Sequence, residues 1–158
     1  MIEVLRPLVG ELVELYVGSD DTAFDAGRVL AANEAMVVLH QMRNSGGFDG
    51  IIVVATETLR RIRVGTRYLE LRSDATPSPT IMASSDFGEL LAQSVGKAAT
   101  IGLGAFFVTG IVSSAGDELC TIMEISSDGF RDGLLTFWIE DVESILMDTS
   151  MLKDLEIL

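Results

Sequence analysis

The chain has one cysteine, one histidine and one tryptophan in 158 residues, and its three prolines are Pro7, Pro77 and Pro79. A lone Cys120 excludes an intrachain disulfide and a multi-cysteine metal cluster, and it fits a reducing, cytoplasmic setting. His40 has no second imidazole with which to build a metal site, so no metal or other cofactor is expected. Positive charge is scarce as well. Eleven Lys and Arg face 24 Asp and Glu, a net charge of -13, and a field of that sign repels phosphate backbones and anionic membranes. The N-terminus MIEVLRPLVG carries Glu3 and no basic cluster ahead of a long apolar core, so no secretory signal is read there. Residues 98 to 116 contain no charge, yet four glycines and several hydroxyl residues break them up. Two strands joined by a turn are expected in that stretch, and no membrane span.

What the chain does contain is a repeat. Laying Gly27 on Gly110 gives a constant offset of 83 that runs without a gap to Leu69 on Leu152. It matches Val29 with Val112, Gly46 with Gly129, Asp49 with Asp132, Gly50 with Gly133, Glu57 with Glu140, Ile62 with Ile145 and Thr66 with Thr149. Upstream the offset becomes 86, pairing Val9 and Gly10 with Val95 and Gly96, because SDDT at 19 to 22 shrinks to Ala105. A length change of this kind belongs in a hairpin tip. Between the copies lies SDATPSPTIMASS, so the chain divides into copy 1 (1 to 74), a linker (75 to 85) and copy 2 (86 to 158).

Within copy 1, ELVELYV, AFDAGRVLA, MVVLHQM, IIVVA and LRRIRV read as short strands, with RNSGGFDG a strong turn signal before the fourth. Copy 2 repeats them as TIGLG, AFFVTGIVS, LCTIMEI, LLTFWI and VESILM. IEVLRPLV, TRYLELR, FGELLAQSV and TSMLKDLEIL have helical character. The expected class is mostly β: two tandem small, strongly bent, five-stranded antiparallel barrels with short helices, spanning about residues 11 to 64 and 97 to 147.

A helix, five bent strands, a glycine inside the second strand and a polar turn before the third resemble the Sm-like family, in both halves of the chain. Gly27, Val29, Asn33 and Met36 stand at the places of the family's first motif, and Gly110, Val112, Gly116 and Leu119 do so in copy 2. For the second motif the chain offers Val54, Ala55-Thr56, Leu59 and Ile62, then Phe137, Trp138-Ile139, Val142 and Ile145. The resemblance implies rings closed by pairing the fourth strand of one unit with the fifth of the next. Two units per chain then require an even number of units, hence three or four chains, three being favoured. It also implies a base pocket built from an Asn and an Arg-Gly pair. Here Val37 and Cys120 replace the Asn, and Ala55-Thr56 and Trp138-Ile139 replace the Arg-Gly, so the pocket is expected to be lost.

Charge is divided unevenly: residues 1 to 75 hold 8 basic and 11 acidic residues, and 76 to 158 hold 3 and 13, net -3 and -10. Arg60, Arg61, Arg63, Arg67 and Arg72 form a basic patch whose counterparts are Glu143, Ser144, Leu146, Ser150 and Leu155. Arg60, Arg61 and Arg63 could contact RNA phosphates, with Trp138 stacking on a base. The preferred reading makes them an edge facing the acidic copy of the same or a neighbouring chain. Asp21-Thr22-Ala23 and Asp148-Thr149-Ser150 have the look of an aspartic-protease pair, but the repeat sets Asp148 on Gly65, not on Asp21. The sequence therefore points to a non-enzymatic scaffold or protein-interaction module that forms an oligomer, with RNA binding through residues 60 to 63 as the alternative.

Overall fold

The computed structural model describes residues 1–18, 23–81 and 84–157, which leaves the expected SDDT hairpin tip outside the described residues. The protein is mostly β, with a few short helices, and divides into two compact units, Met1–Ala83 and Ser84–Leu158.

In the first unit a short helix α1 (Ile2–Leu5) runs into a 3-10 turn at Arg6–Leu8, where Pro7 sits in a first-turn position that needs no N–H. There follow β1 (Leu12–Val17), β2 (Asp25–Ala32), β3 (Met36–Met42), β4 (Phe48–Ala55), a 3-10 turn at Thr56–Thr58, β5 (Leu59–Val64) and α2 (Arg67–Arg72). All ladders are antiparallel, in the order β5-β1-β2-β3-β4. The second unit runs α3 (Phe87–Gln93), β6 (Ala98–Leu103), β7 (Phe106–Ala115), β8 (Leu119–Ile125), β9 (Arg131–Trp138), a 3-10 turn at Ile139–Asp141, β10 (Ser144–Met147) and α4 (Ser150–Glu156), in the order β10-β6-β7-β8-β9. The uncharged stretch 98 to 116 is thus two strands, and no helix among the described residues is long and apolar enough to cross a membrane. Among the described residues no ladder joins β4 to β5 or β9 to β10, so the strand pairing within each unit is that of an open sheet.

The duplication is written in the backbone. Ladder irregularities fall at Val29/Ala31 and His40/Met42 in one unit and at Val112/Ser114 and Met123/Ile125 in the other, the same places under the offset of 83. Arg43 N–H donates to Gly47 O at 2.9 Å and Ser126 N–H to Phe130 O at 2.8 Å, closing equivalent turns. These turns are shorter than RNSGGFDG suggested: Phe48 and Arg131 already belong to strands, the residues after them following in the same ladders. Thr66 and Thr149 cap α2 and α4 by accepting from Leu69 N–H and Leu152 N–H.

Gly27 and Gly110 explain why the alignment anchors on glycine. A Cβ at Gly27 would run into the carbonyl oxygen of His40 on the facing strand, and one at Gly110 into that of Met123. The bulged, bent strands approach so closely that no side chain fits. Gly65 and Asp148 are also equivalent in conformation, with φ 65° and 59°. Asp148 is the residue of the pair that bears a Cβ in the left-handed region.

One face of each sheet carries the core. Val13, Leu15, Val29 and Leu39 are at most 1% exposed in the first unit, and Ile101, Val112, Ile122 and Ile145 are at 0% in the second. Each such side chain contributes about 1.5–3 kcal/mol by leaving water. On the opposite face of the first unit α2 lays Leu69 against Ala26, Met42 and Phe48, with Leu12, Phe24 and Tyr68 around them.

Candidate functional site

The positions of the expected base pocket are structural. Val37, Ala55, Thr56 and Cys120 are buried, and Ile139 is half-buried. In the first unit Asn33 Oδ1 accepts from Ala35 N–H at 2.8 Å and Met36 N–H at 2.9 Å, the local turn that Asn side chains favour. Thr56 donates its hydroxyl to Asn33 O at 3.0 Å and its N–H to Ala35 O at 3.1 Å. These bonds knit the two loops together. In the second unit Ile139 N–H donates to Glu118 O at 2.8 Å, which brings Asp117 and Glu118 beside the turn carrying Glu140 and Asp141. Four carboxylates around that loop pair oppose a phosphate chain.

The arginines of β5 have partners within their own unit. Arg60 Nη1 donates to Glu57 O at 2.8 Å and Leu59 O at 3.1 Å. Arg61 lies over the Tyr16 ring at 4.8 Å, and Arg63 Nη1 donates to Tyr16 Oη at 3.4 Å. Arg63 also stands 4.0 Å from Glu14 Oε2, an oxygen sealed from water with no hydrogen-bond partner among the described residues. Arg61 and Arg63 sit directly across the ladder from Tyr16 and Glu14, so alternation alone stacks the pairs on one face. Arg67 starts α2, and Arg72 Nε donates to Asn44 O at 2.9 Å while its guanidinium lies 4.0 Å over Tyr68.

The residues weighed for catalysis are placed elsewhere. His40 is buried and stacked on Phe48 at 4.7 Å; burial first, then the Arg28 charge, holds its pKa below the usual histidine value. Burial pushes the Cys120 thiol up to about 11, so it stays protonated and unreactive. Thr149 is a helix cap, Asp148 sits in a turn, and Asp21-Thr22 lies outside the described residues.

Two surfaces escape a motif search. The first is an outer face of β8 and β9, where Leu119 pairs with Trp138, Thr121 with Thr136 and Met123 with Leu134. Leu119, Leu134 and Trp138 are 43%, 70% and 50% exposed. Their counterparts under the repeat, Met36, Ile51 and Ala55, are buried at 2%, 6% and 3%. The second is a polar cleft beside Asp25 in the first unit. The repeat sets Asp25 on buried Val108, and that mismatch was the available signal. No family model matches the sequence, and no curated protein matches it significantly.

Proposed function

We propose that the chain is a non-enzymatic Sm-like scaffold, two bent five-stranded barrels in tandem, that associates with further copies of itself into a ring-like oligomer of three chains, or of four. The observation that carries this reading is the contrast along one strand pair. Met36, Val38, His40, Ile51, Val53 and Ala55 are all buried, at 9% exposure or less, whereas Leu119, Leu134 and Trp138 at the matching sites of β8 and β9 are exposed. A strip of large apolar side chains on a bulged outer strand is costly to leave in water and is a template for pairing. Its occupant is the first unit of another copy. β5 is an outer strand of that unit and carries Arg60, Arg61 and Arg63, while the second unit has a net charge of -10, three basic against thirteen acidic residues in 76 to 158. The chain is thus charge-complementary head to tail. The apolar or in-turn residues at Val37, Ala55, Thr56, Cys120 and Ile139 support a scaffold without base readout.

Light scattering tests this directly. The wild type is expected at the mass of three or four chains, and Leu134→Glu with Trp138→Glu together is expected to give monomers with an unchanged far-UV spectrum. A wild-type monomer at micromolar concentration would sink the assembly. Submicromolar, salt-resistant binding of a uridine-rich oligonucleotide, lost when Arg60, Arg61 and Arg63 are changed together to Ala, would replace the scaffold reading with RNA binding through β5.

A further inference from the structure

Between the approach to β1, the end of β5 and α2, the first unit has a cleft of about 580 Å³. Leu8, Leu12, Val64 and Leu69 give it apolar walls, and its charged residues, among those described, are Glu11, Glu70 and Arg28. Arg28 is held there by donating Nη1 to Gly10 O at 2.9 Å. Both glutamates are exposed, and among the described residues no cation pairs with either.

The second unit carries the opposite charges at the same places. Val29 N–H donates to Glu11 O at 2.9 Å, and Val112 N–H to Lys97 O at 3.0 Å. Glu70 N–H donates to Thr66 O at 3.2 Å, and Lys153 N–H to Thr149 O at 3.0 Å. Matching backbone bonds thus set Lys97 on Glu11 and Lys153 on Glu70, and these are the only lysines in the sequence. The third charge is reversed as well: Ile111 stands at the place of Arg28, and Asp148 at that of Gly65, which lines the cleft. One face therefore holds two carboxylates and a guanidinium, the other two ammonium groups and a carboxylate. Glu156, a further acid of α4, is engaged, for Ala98 N–H at the place of Leu12 donates to its Oε1 at 3.0 Å. Arg67 and Leu71 of α2, with Ser150 and Asp154 at their places, are not among the residues lining the cleft.

We propose that these faces dock between copies: the Glu11–Glu70 cleft of one chain receives the Lys97–Lys153 face of a second copy, the glutamates meeting the lysines and Arg28 meeting Asp148. Opposite charge sets on equivalent surfaces of a duplicated fold suit a contact about an approximate two-fold axis, in which each residue meets the counterpart of another. Lysine fits the task, because its apolar stem can lie along Leu8 and Leu12 while its ammonium reaches a carboxylate at the rim. The net charge of -13 pushes whole copies apart, so the association rests on this local pairing. A patch of this size is at the low end for a protein contact and is filled only at high protein concentration. The contact goes beyond the assembly proposed above, since it sets α2 and the approach to β1 against α4 and the approach to β6 and leaves the strip on β8 and β9 aside.

Analytical ultracentrifugation of the full-length protein in low-salt buffer tests this. At about 0.5 mM the mass is expected to be at least about twice that at about 1 µM, whatever the mass at 1 µM is, so a failure of the ring leaves this test standing. Glu11→Lys with Glu70→Lys sets lysine against lysine, and Lys97→Glu with Lys153→Glu sets glutamate against glutamate. Neither variant alone is expected to show the rise, and an equimolar mixture of the two is expected to restore it. Both variants stay acidic, so general attraction does not bring them together, and the first is less acidic than the wild type, so general repulsion would predict that it associates more. A chain carrying all four changes should behave as the wild type, which also shows that the changes leave the fold intact. A mass that does not rise with concentration overturns the proposal, as do a rise that either paired variant keeps, a mixture that fails to associate and a fully exchanged chain that fails to do so.

Discussion

Replacing Gly110 by alanine would drive a methyl group into the Met123 carbonyl on β8, with the carbonyl carbon at 2.7 Å and Glu124 Cα at 3.0 Å. Non-bonded carbon atoms rest at about 3.5–4.0 Å, so the facing backbone would have to move by about 1 Å. All three obstructing atoms belong to the backbone, and no rotamer change relieves the overlap. Overpacking of this kind costs about 1–3 kcal/mol, and the shift would weaken one or two ladder hydrogen bonds at about 0.5–1.5 kcal/mol each. The expected loss is therefore about 1.5–6 kcal/mol, a large part of the about 5–15 kcal/mol that holds a domain. Urea unfolding followed by far-UV dichroism reads it as a midpoint lowered by more than about 1 M. Gly27→Ala should do the same to the first unit, where the His40 carbonyl stands in the way. Gly88→Ala is the control: its nearest obstacle is a side-chain oxygen, Asp86 Oδ1 at 3.3 Å, and it lies in a helix, where alanine is better than glycine by about 0.8–1.0 kcal/mol. A Gly110→Ala midpoint equal to that of the wild type would refute the close-approach argument for both units.

Asp148→Gly should stabilise by about 1 kcal/mol, because φ 59° strains a residue with a Cβ, whereas Gly65→Ala should destabilise by about the same amount; paired denaturation curves check both. Asp25 has a folded pKa raised from 3.8 to about 6, so its protonated form is the one folding favours. Its stabilising effect is complete below about pH 3.8 and is lost as pH rises through about 6, a swing of at most about 3 kcal/mol, and Asp25→Asn should melt higher than the wild type at pH 7.5 but not at pH 4. Cys120, buried with its thiol held protonated, should resist a thiol-specific disulfide reagent in the native state and react on unfolding; prompt stoichiometric labelling of folded protein would contradict that burial.

The strands, the helices and the register of the duplication were legible because they depend on local pattern, whereas the open strand order was not, the expectation being a closed barrel. Alternation, turn residues and the threonine caps each act over a few positions, and a slip of one residue would have turned every apolar side chain to the wrong face. Turn ends were read too long: Phe48 and Arg131 looked like loop because their neighbours are Gly, Asp and Ser, whereas the bulges at His40/Met42 and Met123/Ile125 let pairing resume early. Glu14 was legible as a member of an alternating strand, but not as a carboxylate 3% exposed, since its cover lies with residues distant in sequence, Arg63 among them. Exposure on β8 and β9 was hidden for the same reason. LCTIMEI and LLTFWI carry the same periodicity as MVVLHQM and IIVVA, and periodicity says which side chains share a face without saying whether anything covers it.

The two copies are therefore informative where they disagree. Positions held in common, Gly27 with Gly110 and Thr66 with Thr149, are those at which the backbone leaves little choice, through a close approach or a helix cap. A duplicated fold retains such sites whatever each half comes to do. Besides the arginines of β5 and α2 and the charges reversed at Glu11 and Glu70, two disagreements differ in burial and charge. Ala55 answers to Trp138 and Ile51 to Leu134, where one unit is buried and the other open. Asp25 answers to Val108 and Tyr68 to Met151, where one unit has a charged cleft and the other apolar side chains. An exposed tryptophan is expensive in water, and so is a half-buried carboxylate that no cation among the described residues answers, and neither is needed to fold a unit whose twin folds without it. Each unit thus carries one costly departure from the shared plan, and folding alone explains neither.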